Sequence, residues 1–314
     1  MLEQELWLET DGARIFVRKW LPDSGARAVV NIVHGMSEHS GRYFRFAEAL
    51  CGRGIAVWCA DQRGHGKTAS PDINKSSEGG LPGHCADKKT FIKILSDIDM
   101  VHKTIIKNHK NIPLIMFGHS WGSFLTQGYI EFYGGKLQGA ALSGTRGPGG
   151  LEVRLGAPFL EFAARLCGVR SHSMFFHSIV FGSAYQRPFM PCRTSFDWLS
   201  RDEAEVDSFI ADPMCGHLPS LGFYRDLLYI LKTIHKDRNI KKISNSLPVY
   251  VFSGDRDPVG GMGKNVSALV KRWIKNGIKD VSFVLYPGAR HECLNEINRE
   301  EVTLNFINWL ERHI

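Results

Sequence analysis

Gly118-His119-Ser120-Trp121-Gly122 sets a serine between two glycines, each two residues away. A serine hydroxyl is a poor nucleophile until a base takes its proton and an acid holds that base. Further along, Ser253-Gly254-Asp255-Arg256-Asp257-Pro258 offers two acids, and Pro287-Gly288-Ala289-Arg290-His291-Glu292 offers a base in His291. Such residues would carry out acyl transfer: Ser120 attacks a carbonyl, His291 moves the proton, and backbone amides hold the oxyanion. The expected amides are those of Trp121, directly after the serine, and Met36, in His34-Gly35-Met36, where Gly35 lets the backbone come close.

The five-residue pattern is weak alone, since about 0.2 matches arise by chance at this glycine and serine content. Its setting gives it weight. It follows the apolar run at 114–117 and precedes a helical pattern at 123–133, the strand-turn-helix arrangement that a nucleophile elbow requires. The sharp turn strains the serine backbone, and Gly118 and Gly122 remove side chains that would collide there. The helix that follows turns its free amides and positive dipole end toward developing negative charge. Asp255, Asp257 and His291 also come just after apolar runs, at 249–252 and 281–286.

The remaining elements fit that placement. Short, nearly continuous apolar runs at 28–33, 55–60 and 140–142 join those three as strands buried on both faces. Segments 5–8 and 14–21 flank Asp11-Gly12 and predict an antiparallel start. Helical patterns lie at 43–53, 87–108, 124–133, 264–276 and 300–314. This alternation predicts an α/β class: a mostly parallel sheet of about eight strands with helices on both faces.

Residues 147–232 interrupt the rhythm, opening on Gly147-Pro148-Gly149-Gly150 and holding helical pieces, one of them acidic at 198–207. They read as a helical cap inserted into a core made of 1–146 and 233–314. Inside the cap, 171–186 has no formal charge and contains Met174, Phe175, Phe176, Ile179, Val180 and Phe181. That stretch is either the cap's own core or an apolar mouth for an acyl chain.

With 314 residues, 43% hydrophobic and 23% charged, the chain can build a large core. The net charge of +7 is scattered, so no nucleic-acid partner is expected; it favours weak, transient attraction to anionic membrane surfaces. Seven cysteines without a CxxC pair read as reduced thiols. No apolar leader and no run of about 18–20 apolar residues is visible, which predicts a cytoplasmic protein, peripheral at most to membranes. Gly66-Lys67-Thr68 mimics a phosphate loop, but Asp61 stands where that loop needs glycine. No metal or organic cofactor is expected. His34, Arg63 and His65 read as loop braces.

Spacing alone leaves the acid open: Asp255 is nearest the strand end, and Asp257 is far enough out to reach a neighbouring loop. Here a resemblance enters. His34-Gly35-Met36-Ser37-Glu38-His39-Ser40-Gly41-Arg42-Tyr43 resembles the HGxxEHSGRY segment of monoacylglycerol lipases and lysophospholipase-like relatives, which are α/β-hydrolases. Asp61-Gln62-Arg63-Gly64-His65-Gly66, Asp212-Pro213-Met214 and Tyr286 to His291 are similar to segments of the same family. Gly254-Asp255-Arg256-Asp257 matches its acid loop, and the resemblance selects Asp257. It implies the α/β-hydrolase fold and a small lipid ester, a monoacylglycerol or lysophospholipid, as substrate. The likeness is least over 147–211. Two other readings are a serine aminopeptidase, in which Asp202, Glu203, Glu205 or Asp207 would bind the substrate amine, and a non-catalytic binding protein on the same scaffold.

Overall fold

The computed structural model describes residues 1–70 and 79–314, apart from the side chains of 151, 152, 154 and 179–184. Strands β1 (Leu2–Thr10), β2 (Ala13–Leu21), β3 (Ala28–Val33), β4 (Ile55–Ala60), β5 (Leu114–His119), β6 (Gly139–Ser143), β7 (Val249–Gly254) and β8 (Val281–Tyr286) form one sheet. Their order is β1-β2-β4-β3-β5-β6-β7-β8. β2 runs antiparallel to both β1 and β4, and every other pairing is parallel. This is an α/β-hydrolase fold, as the sequence predicts.

Alternate residues along a strand point to opposite faces. Val30, Val57, Ile115, Phe117 and Phe252 pack on one side with Phe46 and Leu50 of α1 (Phe44–Cys51) and Phe306 and Trp309 of α10 (Arg299–Glu311). Val29, Trp58 and Met116 face α2 (Thr90–Asn108) and α3 (Trp121–Phe132). Val249 and Val251 pack on Leu269 and Trp273 of α9 (Lys264–Lys275). Both faces are covered over β3 to β7, so those strands read as continuous apolar runs rather than alternating ones; β8, expected to be buried on both faces, is only half-buried because it lies at the edge of the sheet.

Because β3, β5, β7 and β8 are parallel, the loops after them all open at one edge of the sheet. Residues 34–38, Ser120, Asp257 and His291 therefore arrive there together.

Between β6 and β7 come α4 (Leu151–Cys167), α5 (Met174–Gln186), α6 (Glu203–Ala211), α7 (Leu221–Ile234) and the short α8 (Asp237–Ile240). α7 runs two residues past the expected boundary at 232 and packs on α4 and α3. α2 starts at Thr90 rather than 87: Lys89 is left-handed, with φ 55°, and Asp87 is taken up by His84 and Arg170. The expected helix at 198–207 begins only at Glu203. The Asp202 side chain caps it by accepting the Ala204 amide at 3.1 Å, and the carbonyls of residues 197–200 serve another loop. Met174 and Phe175 are exposed, so this part of 171–186 is not buried core; Ile179, Val180 and Phe181 lie outside the described side chains. Among the described residues, no helix is long and apolar enough to cross a membrane.

Candidate active site

Ser120 sits between β5 and α3 with φ 52° and ψ −122°, a backbone that a non-glycine residue rarely adopts. Its amide donates to the Ser143 carbonyl at 2.9 Å. The flanking glycines are sterically required. A Cβ on Gly118 would lie 2.5 Å from the Gly122 carbonyl oxygen, and one on Gly122 would lie 2.0 Å from that of Val33. The elbow thus closes directly onto the end of β3, where the His34-Gly35-Met36 loop begins.

His291 bridges the serine and the acid loop. Its Nδ1 lies 3.0 Å from Asp257 Oδ1, and its Nε2 lies 2.8 Å from Ser120 Oγ. A carboxylate can only accept, so Nδ1–H donates to Asp257; Nε2 is then free to accept the Ser120 hydroxyl. Asp257 is fully buried and also accepts the Val259 amide at 2.8 Å and Ser253 Oγ–H at 3.0 Å. Asp255 points elsewhere: its Oδ1 accepts the Gly288 amide at 2.7 Å and fastens the acid loop to the histidine loop. Those loops touch so closely that a Cβ on Gly254 would lie 2.0 Å from the Ala289 carbonyl oxygen.

Burial pulls the His291 pKa down, but the Asp257 charge and hydrogen bond, with Glu292 and Glu38, outweigh it and leave the imidazole above its ordinary value. Beneath it, His119 at the end of β5 is held neutral, its pKa lowered to about 4 by burial and by His291. The two rings lie 4.9 Å apart.

Met36 and Trp121 line the same cavity as Ser120 and His291. The Gly35 amide is already taken by Glu38 Oε1. His34 braces the loop, accepting the Gln62 amide at Nε2, 3.0 Å away, while its Nδ1–H donates to the Gly35 carbonyl at 2.7 Å. His65 stacks on the Trp121 ring at 5.1 Å, and Arg63 grips Asp97 at 2.6 Å.

The cavity measures about 1000 Å³. Phe159, Leu160, Leu227, Leu228 and Leu231 of α4 and α7 line it, and Ser120 and His291 stand in its wall. Its carboxylates among the described residues are Glu38 and Glu292, and Arg42 binds both, at 2.9 and 2.7 Å.

A family comparison matches residues 24–298 to the hydrolase family described as serine aminopeptidase, S33. The chain belongs to this family. It is 28% identical over 310 residues to a monoacylglycerol lipase of Mycolicibacterium smegmatis, covering 96% of this chain and 95% of that protein. It is 29% identical over 292 residues to the human monoglyceride lipase, covering 92% and 84%. Among solved structures, a thermostable carboxyl esterase from Bacillus coagulans, in complex with glycerol, superposes with a TM-score of 0.91 at 27% identity, covering 100% and 99%. The likeness to monoacylglycerol lipases read from the motifs is borne out.

Within this family scaffold, the residues that motif reading missed are those around Arg42. Its guanidinium binds Glu292 through both terminal nitrogens, each at 2.7 Å, and Glu38 at 2.9 Å. Glu38 in turn holds the Gly35 amide and the Tyr43 hydroxyl. One arginine thus ties the Gly35–Met36 loop to the residue beside His291, which lies 250 positions away from Arg42. The signal was present in the sequence, as Glu38 and Arg42 sit four apart in the HGxxEHSGRY segment; its partner Glu292 carries no local pattern.

The acids considered for amine binding are engaged elsewhere. Asp202 pairs with Arg299, Glu205 with Arg45, and Glu203 and Asp207 with Arg193. His39, Asp212 and Cys215 bring possible metal-ligating atoms within 4.8 Å of one another. However, His39 Nδ1 accepts the Gly41 amide, so Nε2 carries the proton and donates to Asp212 at 2.8 Å. The His39 and Asp212 side chains are thus tied to each other by a hydrogen bond.

Proposed function

We propose that this chain is a serine ester hydrolase that cleaves monoacylglycerol-type lipid esters. The carrying observation is the Ser120–His291–Asp257 hydrogen-bonded line, at 2.8 and 3.0 Å, set in the wall of a large cavity with many apolar lining residues. The named relatives support the substrate class, and family membership supports the chemistry.

In this reading, Ser120 Oγ attacks the ester carbonyl while His291 Nε2 takes its proton, and Asp257 fixes the tautomer and stabilises the imidazolium. The amides of Met36 and Trp121 receive the oxyanion, with Gly118, Gly122 and Gly35 providing the close backbone approach. The protonated His291 releases glycerol as the leaving alcohol, and water then cleaves the acyl-enzyme by the reverse path.

Residues 147–232 act as the cap over the acyl cavity, and its outer surface meets the lipid. Leu155, Phe159, Phe162 and Leu166 recur at helical spacing along α4, a stripe that normally faces a core; here it is exposed, together with Met174 and Phe175 of α5. Leu155, Phe159 and Met174 also line the cavity, so the outer stripe is continuous with the inner wall.

The test is a panel assay of the purified chain on monooleoylglycerol, lysophosphatidylcholine, p-nitrophenyl butyrate and aminoacyl-naphthylamides. Monooleoylglycerol is expected to lead. Ser120→Ala is expected to lose about 10³-fold or more of every activity. Preference for the aminoacyl amides, or activity surviving in Ser120→Ala, overturns the reading.

A further inference from the structure

The loop that carries His291 is held by six residues of the segment inserted between β6 and β7. The backbone amides of His291 and Glu292 donate to the Trp198 and Leu199 carbonyls, at 3.4 and 2.8 Å. The Arg290 guanidinium donates to the carbonyls of Ser200, at 3.0 Å, and Asp197. Ser200 Oγ–H donates to the Asn295 carbonyl at 2.8 Å, and Arg299 grips Asp202 at 2.7 Å.

At the centre of this contact is Glu296, which is fully buried. Its Oε1 accepts the backbone amides of Arg290, at 2.7 Å, and Arg201, at 3.2 Å. Its Oε2 accepts Arg201 Nε–H at 2.8 Å and the Ile297 amide at 3.1 Å. One carboxylate therefore fixes the residue before His291 and the inserted segment together. On the imidazole itself, the Trp198 ring lies 5.0 Å away, backed by Tyr185 at 5.2 Å.

We infer that Arg201 and Glu296 are positioning residues for His291. Docking of 197–202 and alignment of the imidazole on Ser120 are then one structure, so the cap places the base as well as covering the cavity. A buried carboxylate stripped of its cation must draw in water or take a proton. Either change weakens its hold on the Arg290 amide, and the neighbouring His291 backbone loses its seat on Trp198. A shift of about 1 Å in a reacting group can cost on the order of 100-fold in rate. The inference rests on His291 being the base.

The test compares Arg201→Met, Arg201→Lys and Glu296→Gln in the full chain, with Arg193→Ala as a control on an exposed ion pair of the same segment and Ser120→Ala as the blank. With p-nitrophenyl butyrate, Arg201→Met is expected to lose about 10- to 100-fold in kcat with KM little changed. Its acidic limb of kcat/KM should also move to lower pH, because Asp257 no longer holds the imidazole in place. Glu296→Gln should move both quantities the same way. Arg201→Lys, which keeps the charge but not the Nε–H bond, should fall between wild type and Arg201→Met, and it carries the test if Arg201→Met does not fold. Arg193→Ala should match wild type. Unchanged kcat and limb in the Arg201 variants, with only a lower melting temperature, overturn the proposal, as does an equal loss in Arg193→Ala. Activity in Ser120→Ala would instead overturn the functional reading beneath it.

Discussion

His291 lies 171 residues from Ser120 and 34 from Asp257 along the chain, yet it meets both within hydrogen-bond distance. The serine and histidine were legible because each follows an apolar run at a point where a parallel sheet must place a loop. The acid was not decidable from spacing, since Asp255 and Asp257 share one loop and only their directions differ: Asp255 turns to the Gly288 amide, Asp257 to His291. Asp257→Asn is therefore expected to lower kcat by about 10³- to 10⁴-fold. Asp255→Asn, which weakens one loop contact, should cost far less, and steady-state kinetics on p-nitrophenyl butyrate separates the two. The pH profile follows from the same group. The proposed mechanism needs neutral His291, whose pKa is raised because the Asp257, Glu292 and Glu38 charges outweigh burial. Activity should thus fall on acidification through a point above the ordinary histidine value of about 6.5. A limb below that value would contradict the net raising of the His291 pKa by its neighbouring carboxylates.

The strands were the most readable elements: β3 and β4 fall where the runs predict because burial on both faces leaves an uninterrupted apolar run, and β8, a half-buried edge strand, still matches its run at 281–286. The inserted segment was least readable. Its stretch at 198–201 has helical periodicity, but its carbonyls are spent on the histidine loop, a tertiary demand invisible to local pattern. The exposed stripe on α4 was equally hidden, since helical spacing of apolar residues signals a core-facing side by default. If that stripe meets lipid, Leu166→Glu with Phe175→Glu should weaken co-sedimentation with anionic vesicles and lower turnover of vesicle-borne monooleoylglycerol. Turnover of soluble p-nitrophenyl butyrate should stay unchanged. Equal losses on both substrates would count against a lipid-facing cap.

Across the whole molecule, stability and chemistry separate. Glu131 on α3 is buried, with both carboxyl oxygens lacking a hydrogen-bond partner among the described residues, and burial raises its pKa to about 9. The folded chain keeps this proton where the unfolded chain has released it, so stability declines as pH rises from about 4.5 to 9. Between about pH 4.5 and pH 7 that decline amounts to about 3 kcal/mol. Glu131→Gln should raise the melting temperature at pH 7 and flatten the decline between pH 5 and 9, with activity retained. A variant that melts no higher than wild type would show the carboxylate to be satisfied as an ion. The sheet, its helices and the placement of Ser120 were open to sequence reasoning; Glu131, Glu296 and the pairing of Arg42 with Glu292 were not, because their partners or surroundings come from distant parts of the chain. The most direct test of the central claim is acid quench during turnover of a p-nitrophenyl ester, followed by peptide mass mapping. The account predicts an acyl adduct on the peptide carrying Ser120, absent in Ser120→Ala. An adduct on another residue, or full turnover by Ser120→Ala, would contradict it.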